Sequence, residues 1–328
     1  MKNIAIVCGG YSGEYQISIE SALTIKENMD SKKYNSYIIV IEKNKWFFKD
    51  SEGKEHSINM ANFSLDINGE SIIFDGIFNS IHGTPGEDGK LLAYFDMLGI
   101  PYSSCDVDVS ALTFNKYLCN TFVKSLGVNV AKSVSFLKGE KINKEEIIEN
   151  LGLPLFVKPS RSGSSVGVSR VNTVDDFDGA INEAFKTDKR VLIEEFLDGR
   201  EIDCGLFLEN EHLIVLPLTE IISKNEFFDY EAKYNSNMVD EITPPENLPI
   251  EQETDIKAVS SMLYRKLGCK GLVRLDFIIT ETQLFLIEIN TVPGTTANSI
   301  VPRQAKEMGI SLPRLITAVV EGMFVEKN

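Results

Sequence analysis

The 328-residue sequence predicts an α/β fold with a parallel, Rossmann-like first domain. Three patterns support this prediction. An apolar strand at Asn3–Cys8 leads through glycines into an amphipathic helix from about Gln16 to Met29. Residues 132–196 follow the order β-α-β-β-α-β, and residues 271–294 form a hairpin in which charged side chains interrupt two apolar runs.

The same reasoning predicts further strands and a helix in the first domain. Buried strands are predicted at Tyr37–Ile41 and Gly76–Ile81, and a helix at Leu91–Leu98. The stretch from Trp46 to about Ile73 is polar and is predicted to be irregular, with at most a small hairpin. The glycine-rich loop His82–Gly89 follows a strand, where open α/β sheets bind ligands, so a plain connector and a substrate-facing loop are equal alternatives.

After a domain junction near Pro101, the sequence predicts one helix that ends at Gly127, with Lys116 off its apolar stripe. That stripe consists of Ala111, Phe114, Leu118, Phe122 and Leu126. The strands of the middle segment are predicted at Ser133–Leu137, Leu155–Lys158, Val166–Val171 and Val191–Phe196. The loop Lys158–Gly167 combines four serines and two glycines with a lysine, which is typical of a phosphate-covering loop. A plain hairpin turn is the alternative, but it does not explain a lysine that ends an apolar strand.

The last third of the chain carries strands, an aromatic loop and helices. Strands are predicted at Glu201–Phe207 and Leu213–Leu218, and the helical stripe of Ile256, Val259, Leu263 and Leu267 is closed by Gly268. The loop Asn225–Ser236 is too aromatic for a linker, and its Lys233 and Tyr234 could reach a ligand. Two final helices are predicted at Pro302–Met308 and from Leu312 to about Phe324.

The hairpin of residues 271–294 contains the charged and polar side chains that indicate a catalytic site. Strand side chains alternate, so a turn near Thr282 places Asp276 opposite Glu288 and Arg274 opposite Asn290. A buried ion network is the structural alternative. Oxygen ligands without a nearby His or Cys suit Mg²⁺, which shares its coordination with substrate phosphates. The sequence therefore predicts a Mg²⁺–nucleotide phosphate site, with an arginine to steady a transferred phosphoryl group and backbone N–H groups before Gly294 to hold an oxyanion.

Composition excludes several classes of function. A net charge of −15 without a basic block argues against nucleic acid and an anionic membrane as partners. No apolar run approaches the roughly 20 residues of a membrane span, and the first strand is too short for a signal peptide, so a cytoplasmic protein is expected. The five cysteines form no C-x-x-C pair, which argues against a disulfide framework or a zinc site.

The Lys158–Gly167 loop, the Asp229–Tyr234 loop and the charged hairpin together resemble those of D-alanine–D-alanine ligases, ATP-grasp enzymes of peptidoglycan precursor synthesis. The resemblance runs from Gly9 to Pro302. It implies a Rossmann-like substrate-binding domain followed by two ATP-grasp subdomains that sandwich the nucleotide, and it suggests a homodimer. The implied boundaries are 1–104, 105–193 with the flap, and 194–328 with the metal site and a closing loop.

The resemblance also implies roles for individual residues, with ATP, D-alanine and two Mg²⁺ (or Mn²⁺) as ligands. The implied metal ligands are Asp276, Glu288 and Asn290. The implied nucleotide contacts are Lys116, Lys158, Ser164, Ser165, Glu194, Glu195, Leu197, Glu201, Lys233 and Asn290. The implied substrate contacts are Glu14, Ser18, His82, Arg274, Gly294, Ser299 and Ile300. The implied catalytic groups are Arg274, the Gly294 N–H and a hydrogen-bonded trio of Glu14, Ser164 and Tyr234.

The implied reaction is ligation of two D-alanine molecules through an acyl phosphate. Gln16, Thr295 and Asn298 depart from side chains common in the family beside the substrate subsites, so a D-alanine–D-serine or D-lactate ligase is an alternative. The intact Asp229–Tyr234 loop favours an amine over D-lactate. A nucleotide-dependent oxidoreductase and a catalytically silent nucleotide-binding protein are alternatives from other classes. The oxidoreductase alternative gives no role to the second and third domains. The silent nucleotide-binding alternative gives no role to the charged hairpin.

Overall fold

The structure is a computed structural model that describes residues 1–223 and 239–325. These residues form three β-sheets with helices packed against them. Lys233 and Tyr234, which the sequence places in a closing loop, lie outside the described residues. No helix of the described part combines the length and apolar content needed to cross a membrane.

The first sheet contains seven strands in the order β6-β5-β4-β3-β2-β1-β7. They are β1 Lys2–Gly9, β2 Tyr34–Glu42, β3 Lys45–Lys49, β4 Glu55–Asn59, β5 Ser64–Ile67, β6 Glu70–Ile72 and β7 Gly76–Asn79. Strand β1 pairs in parallel with β2 and β7, as the predicted Rossmann-like order requires. The prediction that residues 46–73 are irregular was wrong, because they contribute most of β3 and all of β4–β6. These strands have only three to five residues, too few for alternation to stand out against their polar side chains.

Four helices belong to the first 125 residues: α1 Tyr15–Asn28, α2 Lys90–Leu98, α3 Val107–Phe114 and α4 Lys116–Ser125. The prediction of one continuous helix up to Gly127 was wrong. Asn115 is extended and its side chain accepts a hydrogen bond from the Leu118 N–H, so it caps a second helix. The break changes the helical phase. Leu118 and Phe122 are consequently 43% and 38% exposed, whereas Cys119 and Val123 face the core.

The second sheet is antiparallel with strand order β10-β9-β11-β8. Its strands are β8 Ser133–Leu137, β9 Leu155–Pro159, β10 Ser169–Val171 and β11 Arg190–Glu195, and its helices are α5 Lys144–Leu151 and α6 Phe177–Thr187. The predicted β-α-β-β-α-β order is confirmed. Strand β10 begins three residues later than predicted, because Ser164, Ser165 and Gly167 adopt positive φ angles that keep the loop out of the sheet.

The third sheet has six strands, ordered β15-β14-β12-β16-β17 with β13 paired to β12. They are β12 Arg200–Glu209, β13 His212–Val215, β14 Thr219–Ser223, β15 Val239–Ile242, β16 Val273–Ile279 and β17 Leu284–Asn290. The strand predicted at Leu213–Leu218 is observed only in its first half, as part of β13, because residues 216–218 lie outside any strand and β14 begins at Thr219. Helix α7, Ile250–Leu267, covers this sheet with Ile256 and Leu263 fully buried, and it ends at Gly268 as predicted.

The chain ends with helices α8, Ile300–Glu307, and α9, Leu312–Gly322. Side chains of α8 and α9 share one apolar core with Ile4 and Ile6 of β1 and Phe207 of β12. Residues Cys105–Val128 contribute to a second core under the third sheet. Both cores join segments from different thirds of the chain, so the boundaries at 104 and 193 stay a prediction.

Gly271 provides a test of the packing between the first and third sheets. Its φ is +59°, and a Cβ there would lie 1.8 Å from the Ser103 carbonyl oxygen. Gly268 has a similar φ of +72° but open space around it. We expect Gly268→Ala to lower the free energy of unfolding by about 1 kcal/mol, and Gly271→Ala by roughly 3 kcal/mol or more, because a backbone atom must move. Urea denaturation measures both, and equal losses would contradict the close approach.

Candidate active site

The charged hairpin has the predicted register. Asp276 pairs with Glu288 and Arg274 with Asn290, and a bulge follows Asp276. The Arg274 guanidinium donates from Nε and Nη2 to the two oxygens of Asp276, both at 2.7 Å. Asn290 Nδ2 donates to Asp276 Oδ2 at 2.9 Å, and Lys116 Nζ donates to Glu288 Oε2 at 3.0 Å. Two carboxylates, an amide, a guanidinium and an ammonium group therefore meet at one place.

Asp203 is a member of this cluster that the sequence did not reveal. Strand β12 places it directly opposite Asp276, and its Oδ2 lies 3.3 Å from Arg274 Nε. Its Oδ1 is buried and has no hydrogen-bond partner in the described part of the chain. Burial, together with the charge of Asp276, raises the pKa of Asp203 well above its usual range. An acidic residue inside the apolar strand Ile202–Phe207 was the available signal, but only the sheet order shows what it faces.

The oxygen donors of the hairpin fit magnesium that is shared with a phosphate ligand. Among the residues that the structure describes, no group of three or more His, Cys, Asp or Glu side chains is arranged to hold a metal ion by itself. The predicted donor set is smaller, because it has only two carboxylates, those of Asp276 and Glu288, which the hairpin places opposite each other, and the amide oxygen of Asn290. A partial set of hard oxygen ligands is what Mg²⁺ uses when phosphates complete its coordination.

A cavity of about 490 Å³ lies between the second and third sheets beside this cluster. Its size is that of a small-molecule site. Apolar side chains and the two hairpin carboxylates line the same space. The lining includes Phe156, Phe196, Ile278, Asp276 and Glu288, together with six of the predicted nucleotide contacts: Lys116, Lys158, Ser164, Ser165, Leu197 and Glu201.

Two predicted nucleotide contacts, Glu194 and Glu195, do not line this cavity. Glu194 is buried and does not line the cavity; its carboxylate pairs with Lys158 Nζ at 2.6 Å and accepts from Asn120 Nδ2 at 3.0 Å. Glu195 accepts from the Lys132 N–H at 2.8 Å. Direct contact of these glutamates with a nucleotide stays a prediction. The role that the structure gives Glu194 is to hold Lys158, and Asn120 is its unpredicted partner.

The first domain contributes a second group of predicted residues. The Ser18 hydroxyl accepts from the Gly9 N–H at 2.9 Å and donates to the Ser80 carbonyl at 2.6 Å, which fixes the glycine turn against the end of β7. His82 is buried, its Nδ1 lies 2.8 Å from the Val292 carbonyl oxygen, and burial lowers its pKa. Because a carbonyl oxygen only accepts, Nδ1 of the neutral imidazole carries the proton.

The Lys158–Gly167 loop, which the family resemblance implies is a flap over the nucleotide, approaches the first domain at Glu14. A Cβ on Gly163 would lie 2.8 Å from Glu14 Oε2, so the flap backbone and this carboxylate are in contact. Ser164 follows with a φ of +47°. The predicted trio with Tyr234 stays a prediction, because its third member lies outside the described residues.

Ser299 and Ile300, which the family resemblance implies as contacts of the second substrate's carboxylate and side chain, lie at the start of α8. Gly294 packs so closely on Ser299 that a Cβ would lie 2.8 Å from the serine Oγ. Ser299 occupies the N-cap position, its Oγ is 2.8 Å from Thr296 Oγ1, and Ile300 is the first helical residue. The N–H groups at a helix start favour an anion, which is consistent with the predicted carboxylate contact.

Two family models match this chain. One, described as the D-ala D-ala ligase N-terminus, matches residues 3–105, and the other, the D-ala D-ala ligase C-terminus, matches residues 122–321. The chain is 45% identical over 324 residues to a D-alanine–D-alanine ligase of Phocaeicola vulgatus, with 98% of this chain and 99% of the relative covered.

Solved structures of similar proteins cover nearly the whole chain as well. The VanG D-Ala:D-Ser ligase of Enterococcus faecalis superposes with a TM-score of 0.86 at 32% identity, covering 98% of this chain and 99% of that one. A D-alanine–D-alanine ligase of Bacillus anthracis complexed with ATP gives a TM-score of 0.78 at 26% identity and covers 98% and 97%. With both halves matched in order and the charged hairpin in the predicted register, the chain belongs to the D-alanine–D-alanine ligase family, with the ATP-grasp fold.

Proposed function

We propose that this protein is an ATP-dependent D-alanine–D-alanine ligase that supplies D-alanyl-D-alanine for peptidoglycan precursors. The observation that carries the proposal is the register of the hairpin. It assembles Arg274, Asp276, Glu288 and Asn290 beside a cavity of about 490 Å³ in which Lys116 and Lys158 also stand. This donor set suits the phosphates of a nucleotide, and the family whose models match the chain uses that chemistry on D-alanine.

The first step activates a carboxylate. A carboxylate oxygen of the first D-alanine attacks the γ-phosphorus of ATP, ADP leaves, and an acyl phosphate forms. We propose that Lys116, Lys158 and Arg274, which carboxylates of Glu288, Glu194 and Asp276 hold in position, neutralise the charge on the phosphates. Asp276, Glu288 and Asn290 would hold two Mg²⁺ (or Mn²⁺), which supply further neutralisation when bound.

The second step forms the peptide bond. The ammonium group of the second D-alanine first loses a proton to solvent, and the resulting amine attacks the acyl carbon. The tetrahedral intermediate collapses as the C–O bond to phosphate breaks, and inorganic phosphate and the second proton of the amine are released. Arg274 and the Gly294 N–H are the donors for the oxyanion, an effect worth about 3 kcal/mol per donor. The start of α8 at Ser299 and Ile300 receives the second carboxylate, while Glu14, with Ser18 supporting it, faces the first ammonium group.

The acyl phosphate must be protected from water. The contact between the Gly163 backbone and Glu14 supports a role for the 158–167 loop as a flap that closes between the first domain and the nucleotide cavity. We propose that Ser164 and Tyr234 complete this closure with Glu14, and that Lys233 reaches the nucleotide.

A substrate panel tests the proposed function. The protein is supplied with ATP, Mg²⁺ and D-alanine, alone or with D-serine or D-lactate, and phosphate and ligation products are measured. We expect D-alanyl-D-alanine and one phosphate per dipeptide with D-alanine alone. Little turnover with D-alanine, but turnover when D-serine is added, would instead support the D-alanine–D-serine activity suggested by the Enterococcus relative and by Gln16, Thr295 and Asn298.

Lys158→Met tests the nucleotide cavity separately. Lys158 lines the cavity and is held by Glu194, so its removal takes a cation from the phosphate site and leaves a buried carboxylate with Asn120 alone. We expect the Kd for ATP, measured by calorimetry, to rise about tenfold or more, from the charge-assisted contact that is lost. Lys144→Met, which removes a surface pair with Asp178, is the control and should leave the Kd unchanged. Equal effects would contradict the assignment.

Three wider proposals complete this description. We propose that the domains are residues 1–104, 105–193 and 194–328. We also propose a cytoplasmic location, which is consistent with the use of ATP. Finally, we propose that the protein is a homodimer. The family resemblance supports the dimer, and analytical ultracentrifugation tests it; a monomer at working concentration would contradict it.

A further inference from the structure

The loop of residues 82–89, between β7 and α2, contacts the segment after β17 through both polar backbone groups of Val292. His82 Nδ1 lies 2.8 Å from the Val292 carbonyl oxygen, to which it donates. In the other direction, the Val292 N–H donates to Glu87 Oε1 at 3.3 Å. A residue far along the chain is thus held at its carbonyl and its amide by one short loop, which we call the 82–89 clamp.

Glu87 also makes a hydrogen bond within its own loop. Its second oxygen, Oε2, accepts from the Gly83 N–H at 2.5 Å. One carboxylate therefore bridges an amide of its own loop and an amide of the hairpin exit. Asp88, the next residue, is also largely buried but pairs with the exposed Lys90 and makes no such bridge.

The position of Glu87 is electrostatically unfavourable. No salt bridge to Glu87 is present among the described residues, and Glu14 and Glu288 lie close enough to act on it. Burial, with the charges of Glu14 and Glu288, raises its pKa to about 8. The carboxylate also borders a narrow space of about 20 Å³ lined by Lys116, Gly163 and Asn290. Such a cost is consistent with a functional constraint on this side chain.

Val292 lies two residues from Asn290 and two residues from Gly294. Residues 291–294 follow the end of β17 and bend at Thr291 and Val292, so only one residue separates Val292 from Asn290 and one from Gly294, and a displacement of Val292 also moves both of these residues. Gly294 offers the proposed oxyanion donor, and the first domain holds the proposed first D-alanine. The 82–89 clamp is a direct connection between these two halves of the site.

We propose that Glu87 is a positioning residue of the ligation step, which clamps Val292 together with His82 and so aligns the Gly294 N–H with the acyl carbon held by the first domain. This inference rests on the proposed ligase function. Peptide bond formation is more sensitive to this alignment than phosphoryl transfer, because donors must meet the oxyanion within about 0.5 Å.

A variant with a misaligned site should still form the acyl phosphate, but water should hydrolyse this intermediate before the amine attacks it. Hydrolysis returns D-alanine and inorganic phosphate, so ATP is consumed without a peptide. In an assay at a pH above about 8, where Glu87 is ionised, we expect Glu87→Gln, in which an NH₂ group replaces one acceptor oxygen, to lower the dipeptide rate about 10-fold to 100-fold. The ratio of phosphate to dipeptide should rise from one to two or more, while the KM for ATP changes little. Glu87→Asp, too short to reach both amides, should behave similarly.

Asp88→Asn is the matched control, since it removes the adjacent carboxylate but not the bridge, and its ratio should stay at one. A ratio of one in both Glu87 variants would overturn the proposal, as would the same rise in Asp88→Asn. A thermal midpoint near that of the wild type establishes that the variants are folded.

Amide hydrogen exchange of residues 290–294 in the ligand-free protein gives a readout that does not depend on activity. Faster exchange of the Val292 amide in Glu87→Gln than in Asp88→Asn is expected, and unchanged exchange would overturn the clamp. If the wild type fails the D-alanine panel while exchange responds as expected, the proposed function fails and the clamp stands.

Discussion

Glu288→Gln should reduce dipeptide formation roughly 1,000-fold or more while leaving the fold intact, since a metal site and a phosphate cation are disturbed together. The substitution keeps the shape of the side chain but removes its charge. Glu288 is the partner of Lys116 at 3.0 Å and lies opposite Asp276 across the hairpin. The amide is a weaker ligand for magnesium and no longer supports the ammonium group of Lys116.

Phosphate release at several Mg²⁺ concentrations measures the first effect, and circular dichroism checks the fold. Glu281→Gln is the control, because Glu281 is an exposed residue at the turn of the same hairpin and should leave activity unchanged. Retained turnover in Glu288→Gln would refute the metal assignment.

Arg274→Ala should abolish ligation and also weaken the fold. Arg274 is largely buried, with 18% of its side chain exposed, and it contacts Asp276 through two nitrogens at 2.7 Å and Asp203 at 3.3 Å. Removing it leaves two buried carboxylates without their cation, a change that typically costs about 3–5 kcal/mol. It also removes the proposed stabiliser of the transferred phosphoryl group and the oxyanion, for an expected loss in kcat of about 1,000-fold.

The matched control is Arg314→Ala. Arg314 contacts Glu209 through two nitrogens at 2.7 Å with the same forked geometry, but its side chain is 54% exposed. Solvent screening makes such an exposed pair much weaker than a buried one. Urea denaturation and phosphate release compare the two variants. Similar losses of stability would show that the Arg274 cluster is not effectively buried, and an active Arg274→Ala would remove the arginine from the mechanism.

The surroundings of Lys116 in the structure differ from those that its sequence position suggests. Its position off the apolar stripe is that of a solvated lysine, yet Asn115 begins a new helix and turns Lys116 inward. Burial alone lowers the pKa of Lys116, but the charge of Glu288 outweighs it and raises the pKa. The ammonium group therefore stays charged beside the carboxylate that is the proposed metal ligand.

The errors of prediction have a common physical cause. Strands β4–β6 are short, and the break at Asn115 depends on one cap, so neither feature produces a long periodic pattern. Long elements were predicted well. Helix α7 buries Ile256 and Leu263 on the expected face and stops at Gly268.

The sequence by itself determined the hairpin and its register, because period-two alternation and a polar turn are local and together set which side chains of two adjacent strands face each other. The tertiary structure alone decided which distant groups join them. Lys116 meets Glu288 across 172 residues, His82 meets Val292 across 210, and Asp203 faces Asp276 because β12 is the strand that pairs with β16. Periodicity records which face of an element is buried but not which other element covers that face, so contacts between distant segments depend on packing that no local pattern encodes.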